Sequence, residues 1–227
     1  MKDINTIYKD MIQDVYTKGL ETSPRNMKVK ELLGYSVVLD PNDNVITLPG
    51  VATNLDYAKE ELLWYLNGTN RIDFSDRIKR VWSRYSDDGE TVNSNYGNRL
   101  FGKNEKMNIN QWEWAKNKLR EDSDSRQALM NINSYFDKEK PTKDFPCTIG
   151  IQAFIRENKL HWVVLMRSND IFKGFRNDMY CFTELQKRMA EELKVEVGDY
   201  HHFASSMHLY EQDFDKAKKV LGLESKL

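Results

Sequence analysis

Cysteine is scarce in this chain of 227 residues, which holds only Cys147 and Cys181. Two thiols cannot make a disulfide framework, and their spacing is not that of a zinc site, so no metal is expected and one thiol is free to react. An excess of charge of either sign is also missing, since 34 Lys and Arg face 35 Asp and Glu. That balance argues against a broad electrostatic footprint for duplex nucleic acid; no DNA binding is expected, and any anion site must be local. No run of eighteen apolar residues exists, and Met1, Lys2, Asp3 do not open the apolar stretch of a signal peptide. The chain is therefore expected in the cytoplasm, without a membrane role. Internal repeats, low-complexity tracts and a convincing linker are lacking too. With 40% hydrophobic residues available for a core, one domain over 1–227 is the expectation.

What is present is a run of periodic segments. Ile4, Ile7, Met11, Val15 and Leu20 recur at helical steps, and core packing alone explains them. A polar loop from Thr22 to Asn26 leads to an extended segment, Leu32 to Leu39, which turns at Pro41, Asn42, Asp43 and returns through Val45 to Leu48. Asn54 or Asp56 caps a helix carrying Tyr57, Ala58, Leu62, Leu63 and Leu66, and Gly68 ends it. Glu60 and Glu61 lie on that helix about 100° apart, so at most one can join the apolar face; Glu61 is the better candidate, although composition alone makes both surface charges. Ser86 to Thr91 reads as a solvated turn, Trp112 to Leu119 as a helix and Ala128 to Met130 as a short buried strand. Asp137 to Asp144 reads as an exposed loop. Cys147 to Ile155 and Leu160 to Met166 form a hairpin about Arg156, Glu157 and Asn158. Met179, Phe182, Leu185, Met189 and Leu193 mark the clearest helix, beginning at Asp178 and carrying Cys181 as a small core residue. Ser205 to Tyr210 is a last strand and Asp213 to Leu221 a last helix.

Chemistry concentrates between Phe145 and Asp178. A cysteine after a proline, followed by Arg167 and two carboxylates, Asp170 and Asp178, has the makings of a nucleophile with an anion clamp and acid/base groups. The hairpin brings Cys147 and Arg167 to one end. A thiol with an ordinary pKa of about 8.5 needs a positive field or a base to act, and Arg167 and Arg126 can supply that field. One cysteine beside one proline is weak evidence alone, because a buried cysteine is usually inert. A Cys/His hydrolase is the competing reading, yet Thr148 follows the cysteine and His208 has no orienting partner in the sequence. Arg25, on a loop, reads by itself as a solvated charge.

Taken together, Phe145, Pro146, Cys147, Thr148 and Gln152, then Arg167, Ser168, Asn169, Asp170, and finally His208, Leu209, Tyr210 resemble the signature of the thymidylate synthase superfamily. The intervals from Cys147, 20 residues to Arg167, 31 to Asp178 and 61 to His208, are similar to that family's. Glu61, Leu62, Leu63, Trp64 agree upstream, and the resemblance covers nearly the whole chain. Within the family, the run Met166 to Asp178, ending Gly174, Phe175, Arg176, Asn177, Asp178, most resembles phage deoxycytidylate hydroxymethylases. The resemblance implies an α/β (α+β) fold, a large mixed or mostly antiparallel sheet flanked by helices, with two copies packed sheet to sheet as a homodimer.

It also implies roles. Cys147 adds to C6 of dCMP, C5 takes a one-carbon unit from 5,10-methylenetetrahydrofolate, and water completes a hydroxymethyl group; Glu61 handles water and protons and Tyr96 supports the thiolate region. Asp178 stands where the methylating branch has an asparagine that reads uracil; a protonated aspartate suits cytosine, whose N3 accepts and whose N4 donates. Arg25, Arg167 and Ser168 grip the phosphate, completed by Arg126 from the partner subunit, while His208 and Tyr210 meet the sugar. Asn169 and Gln152 belong to the wall near the base. Asp170, Trp82, Tyr85 and Gly174 face the folate. Three departures stand out: Gln127 replaces a second arginine, Thr148 replaces a histidine, and no closing tail is evident before Lys226 and Leu227. The last two favour water over hydride. The competing readings are a methyl-transferring synthase on dUMP or dCMP and a nucleotide- or RNA-binding protein that has lost catalysis.

Overall fold

The computed structural model describes residues 2–102, 109–139 and 141–223. Helix α1 (Ile4–Lys18) starts where the Asp3 carboxylate accepts from the Thr6 N–H and buries Ile4, Tyr8, Met11, Ile12 and Val15. A short strand β1 (Leu20–Thr22) and a 3₁₀ turn (Pro24–Asn26) lead into β2 (Val29–Leu39), three residues longer at its start than the apolar pattern suggests. The expected return strand at Val45 to Leu48 does not form. Its backbone is claimed locally instead: the Thr47 N–H donates to Asn5 Oδ1 and the Ile46 N–H to Thr53 Oγ1.

Helix α2 (Leu55–Asn67) is capped by Asn54 and ended by Gly68 at φ +69°, as its composition predicts. Two short helices follow that apolar periodicity could not reveal, α3 (Asp76–Trp82) and α4 (Tyr96–Phe101), each opened by a capping side chain, Ser75 and Asn95. Helix α5 (Gln111–Glu121) precedes β3 (Leu129–Asn131), then the hairpin of β4 (Thr148–Arg156) and β5 (Lys159–Met166). Glu157 and Asn158 both take positive φ, the two-residue turn whose twist suits paired strands. A two-residue strand β6 (Asn169–Asp170) runs through a π turn (Ile171–Phe175) into α6 (Arg176–Leu193). The chain closes with β7 (Glu196–Tyr210) and α7 (Phe214–Leu221).

The strands form one mixed sheet in the order β1-β2-β7-β5-β4-β3, with β6 beside the far end of β7. Strand β7 runs antiparallel to β2 and parallel to β5 and β6. Helix α6 supplies Met179, Phe182, Leu185 and Met189 to the core, against Trp162, Val164, Tyr200 and Ala204 of the sheet. On the opposite face Val38, Gln152, Val163, His201 and Phe203 are half-buried or exposed. This α+β arrangement of a mixed sheet flanked by helices is the expected class.

Two segments read as solvated are largely exposed among the described residues, yet their aspartates are tied into the fold. Asp87 accepts from Thr142 Oγ1 at 2.6 Å and from the Lys143 N–H at 3.1 Å; buried Asp144 accepts from the Ser94 N–H at 2.7 Å. Asp137 takes both Nη atoms of Arg99. Aspartates in these loops act as acceptors for neighbouring backbone and side-chain donors, which a polar composition does not distinguish from exposure.

Close approach of α2 and α4 depends on Gly97, where an added Cβ would lie 2.1 Å from the Tyr65 carbonyl oxygen and 2.2 Å from its Cα. Backbone cannot yield as a side chain does. Gly97→Ala is expected to destabilise by about 3 kcal/mol, the upper end of ordinary overpacking, in denaturant unfolding; a loss under about 0.5 kcal/mol, the scale of a neutral surface change, would contradict this packing.

Candidate active site

A cleft of about 1200 Å³ opens at the end of the sheet where β5 stops and β6 begins. Its floor holds Cys147, just before β4, and Asp178, in the first turn of α6. Glu61 and Tyr65 enter from α2 and Tyr96 from α4. Arg25, Arg167 and Ser168 lie along one wall; Asn169, Asp170, Gly174, His208 and Tyr210 line it further, and Trp82 and Tyr85 stand at the aromatic side. Fourteen sites singled out from the sequence thus share one cavity. Arg126 and Gln152 do not: Arg126 is exposed outside the cleft, and Gln152 Nε2 donates to the Arg126 carbonyl at 2.7 Å. Within one chain Gln152 is therefore not part of the wall it was expected to join. The C-terminal residues Lys226 and Leu227 lie outside the described residues.

Arg167 is held by the backbone around the thiol. Its N–H donates to the Cys147 carbonyl at 2.8 Å, Nε to Pro146 O and Nη2 to Phe145 O, both at 2.8 Å. Nη2 also reaches Cys147 Sγ at 3.6 Å. Burial pushes the Cys147 thiol up, and the Arg167 and Arg25 charges oppose that push. Arg25 adopts φ +53° and its neighbour Asn26 φ +62°, a left-handed pair of non-glycine residues of the strained kind that collects at functional sites.

Glu61 is 2% exposed, a buried carboxylate with no cation paired to it among the described residues. Its Oε1 accepts from Tyr57 Oη at 2.9 Å, whose oxygen accepts in turn from Trp82 Nε1 at 3.1 Å; its Oε2 accepts from Asn177 Nδ2. Desolvation, then the nearby Asp178 charge, pushes its pKa up to about 8. Asp178 is raised to about 7, chiefly by burial, with the Asn169 donor opposing. Tyr57 and Asn177 escaped the sequence reading. Tyr57 precedes Glu61 by four residues and so shares its helix face, a spacing that would have found it. Asn177, between Arg176 and Asp178, carries no such signal.

Asp170 Oδ1 caps the π turn, accepting from the Phe172 and Lys173 N–H groups at 2.8 and 3.0 Å. Its Oδ2 is buried with no hydrogen-bond partner among the described residues. Such an orphaned acceptor in a cleft wall fits a ligand that donates N–H groups, as a pterin ring does. Burial raises the Asp170 pKa and lowers that of His208 beside it. Far from the cleft, on the opposite face of the sheet, ligand atoms of His161, Asp199 and His201 gather within 4.8 Å. His161 Nδ1 is already occupied there by the Asp199 N–H at 3.0 Å.

A sequence model of the thymidylate synthase family matches residues 6–226. The chain belongs to the thymidylate synthase family. Among its relatives, the deoxyuridylate hydroxymethyltransferase of Bacillus phage SP01 is 31% identical over 233 residues, 96% of this chain; the chain spans 61% of that protein's length. The deoxycytidylate 5-hydroxymethyltransferases of Enterobacteria phages T4 and T2 are each 28% identical over 211 residues, 87% of this chain and 82% of theirs. No described helix is long and apolar enough to cross a membrane.

Two outcomes follow for this family member. Iodoacetamide should modify Cys147 and spare fully buried Cys181, with a rate that climbs as pH rises past 9; Arg167→Ala should move that climb to still higher pH. Mass mapping of the labelled site checks this, and labelling of Cys181 first would contradict it. The folded pKa values of Glu61 and Asp178 lie above their ordinary values of 4.5 and 3.8. Between about pH 4 and 8 the folded state then holds protons that the unfolded chain has released, so stability falls as pH rises through that window. Glu61→Gln should flatten the fall, read as denaturation midpoint against pH; an unchanged slope would show that Glu61 titrates normally.

Proposed function

We propose that the chain is a deoxycytidylate 5-hydroxymethyltransferase. The observation that carries this reading is Asp178: a carboxylate in the cleft floor with Cys147 and Glu61, raised to about 7, and thus able to hold a proton near neutrality. A protonated carboxyl can donate to the N3 of cytosine and accept from its N4 amine, the reverse of what uracil requires.

Bound 5,10-methylenetetrahydrofolate would supply the one-carbon unit at formaldehyde oxidation level, against Trp82 and Tyr85, with its pterin donors at Asp170 and Gly174 beside that wall. Cys147 Sγ forms a bond to C6, pushing electrons to C5, which bonds to the one-carbon unit. C5 would then lose its hydrogen as a proton while the bond between the one-carbon unit and the folate nitrogen breaks, so that tetrahydrofolate leaves and an exocyclic methylene remains on C5. Water adds there, Glu61 taking its proton, and the C6–S bond breaks to return the thiolate. No hydride moves, so tetrahydrofolate and not dihydrofolate is released. Tyr96, 7% exposed and stacked on Phe182 at 5.5 Å, forms a rigid wall beside Cys147. Arg25, Arg167 and Ser168 would hold the phosphate through charge-assisted hydrogen bonds. His208 and Tyr210 would meet the sugar, with Asn169 behind the base. Arg126, exposed outside the cleft of its own chain, would serve the neighbouring site of a homodimer joined through the open sheet face, with Gln152 beside it. The cytoplasm of an infected bacterium is the setting this implies.

The SP01 relative supports a second reading, in which the same chemistry runs on dUMP. Incubation with methylenetetrahydrofolate and each nucleotide separates the two. The expected product is 5-hydroxymethyl-dCMP with tetrahydrofolate, identified by mass, and Asp178→Asn should shift preference toward dUMP. Cys147→Ser should abolish release of the C5 hydrogen. Preferential turnover of dUMP, or formation of dihydrofolate, would overturn the proposal.

A further inference from the structure

Behind Asp178 a chain of polar groups runs from the cleft into the buried core. Asn169 Nδ2 donates to Asp178 Oδ2 at 2.8 Å. Asn169 Oδ1 lies 3.1 Å from His202 Nε2, and His202 Nδ1 lies 3.0 Å from Tyr200 Oη. Asn169, His202 and Tyr200 are 3%, 1% and 0% exposed. Strand β7 places Tyr200 and His202 two residues apart on its core face, and β6 lays Asn169 alongside. Gly174 leaves the space: a Cβ there would lie 2.8 Å from Asn169 Nδ2 and 3.2 Å from Asp178 Oδ2.

Such a chain has two self-consistent directions. In one, the Tyr200 hydroxyl donates to His202 Nδ1, His202 Nε2–H donates to Asn169 Oδ1, and the Asn169 amide donates to Asp178 Oδ2. A proton carried by Asp178 then sits on Oδ1, which makes no hydrogen bond among the described residues and is the oxygen left for a ligand. In the other direction every donor reverses, and the Asp178 proton points at Asn169; Oδ1 then offers only an acceptor. Cytosine needs the first arrangement, because its N3 accepts. Uracil, whose N3–H donates, needs Oδ1 as a bare acceptor, which the second arrangement provides with the proton in place and the first provides only when Asp178 gives its proton up.

Tyr200 breaks the tie. Its hydroxyl has one hydrogen-bond partner among the described residues, His202 Nδ1, and is sealed from water. Reversal would make the hydroxyl an acceptor from Nδ1–H and strand its own proton without a partner, the costly side of hydrogen-bond asymmetry. The first direction gives the Tyr200 hydroxyl and the His202 N–H each an acceptor. Burial also keeps His202 neutral, so that a single ring proton is available and its position decides the direction.

We infer that Tyr200 and His202 are specificity-positioning residues, which act through Asn169 to aim the Asp178 proton at the bound base and so favour an amino-bearing over a keto-bearing pyrimidine. This rests on the proposed role of Asp178 as the reader of the base. Neither residue touches substrate; the effect is transmitted by hydrogen-bond direction.

The chain has four histidines, so imidazole ¹⁵N spectra of the intact protein can assign the tautomer directly. His202 should be neutral with its proton on Nε2 at neutral pH; a proton on Nδ1, or an imidazolium, would overturn the inference without any variant. His202→Phe keeps the ring that packs edge-on to Phe175 at 5.1 Å but removes the donor. It should lower the dCMP-to-dUMP ratio of equilibrium binding constants by about tenfold, the size of one net hydrogen bond. His202→Gln, which can still donate to Asn169 Oδ1, should restore most of that ratio. Asn169→Leu should lower it as well, and His202→Phe should add nothing further in that background. An unchanged ratio in folded His202→Phe, or equal loss in His202→Gln, would sink the idea. Binding separates the two claims: an enzyme that binds dCMP but does not hydroxymethylate it defeats the proposed function, while the ratio still tests the chain.

Discussion

Two neighbouring carboxylates in the cleft, Glu61 buried and Asp178 half-buried, neither with a counter-cation among the described residues, are the constraint around which this molecule is arranged. Moving an ionised carboxylate out of water is expensive unless hydrogen bonds replace its hydration, and a like charge nearby adds to the cost. Glu61 draws donors from its own helix, through Tyr57, and from α6, through Asn177. Asp178 draws one from β6, through Asn169, and lies in the first turn of an 18-residue helix, whose N-terminal dipole favours negative charge. Tyr57 and Asn169 lie close in sequence to the acids they serve, whereas Asn177 is 116 residues from Glu61, so Glu61 gains its second donor only when α2 and α6 come together.

The π turn at Ile171–Phe175 is the joint that makes the arrangement possible. It links β6 to α6 within five residues, and Asp170 stabilises its start by accepting two backbone N–H groups. That use of Oδ1 fixes the carboxyl and leaves Oδ2 turned away, buried and unpaired among the described residues. One residue thereby shapes the backbone and keeps an acceptor in reserve. Gly174 sits inside the same turn, where only the absence of a side chain lets Asn169 and Asp178 meet. A wider-spaced turn of this kind is frequent at functional sites, and here its geometry is accounted for by the two contacts it permits.

Much of this was legible in the residues themselves. Asn54 and Gly68 bracket α2, two residues at positive φ make the hairpin turn, and the apolar stripe from Met179 to Leu193 marks α6, because each signal is local or periodic. The first half of β7 was not legible. Its inward positions include Gly198 and His202, which break the apolar alternation by which a strand is recognised. The helices α3 and α4 span seven and six residues, too few for a period to repeat convincingly. Within the cleft, the residues carried by the family resemblance came together apart from Arg126 and Gln152. Tyr57, Asn177 and His202 were missed for a common reason: each acts on a neighbour that only the folded chain supplies.

The paired acids also bear on how binding the right base would prepare the chemistry. In the free cleft burial raises both Asp178 and Glu61, and an ionised Asp178 helps hold the proton on Glu61. The proposed reaction needs the opposite distribution, with Asp178 protonated against the base and Glu61 ionised to take a proton from water. Cytosine would bring this about, because its N3 binds the protonated form of Asp178 and so removes the charge that keeps Glu61 neutral. Uracil would select ionised Asp178, leaving Glu61 protonated and unable to act as base. On that account discrimination does not end with affinity. The base that binds in the wrong sense also leaves the water without its acceptor, so a hydrogen-bond preference at one carboxylate is repeated as a rate difference at the other.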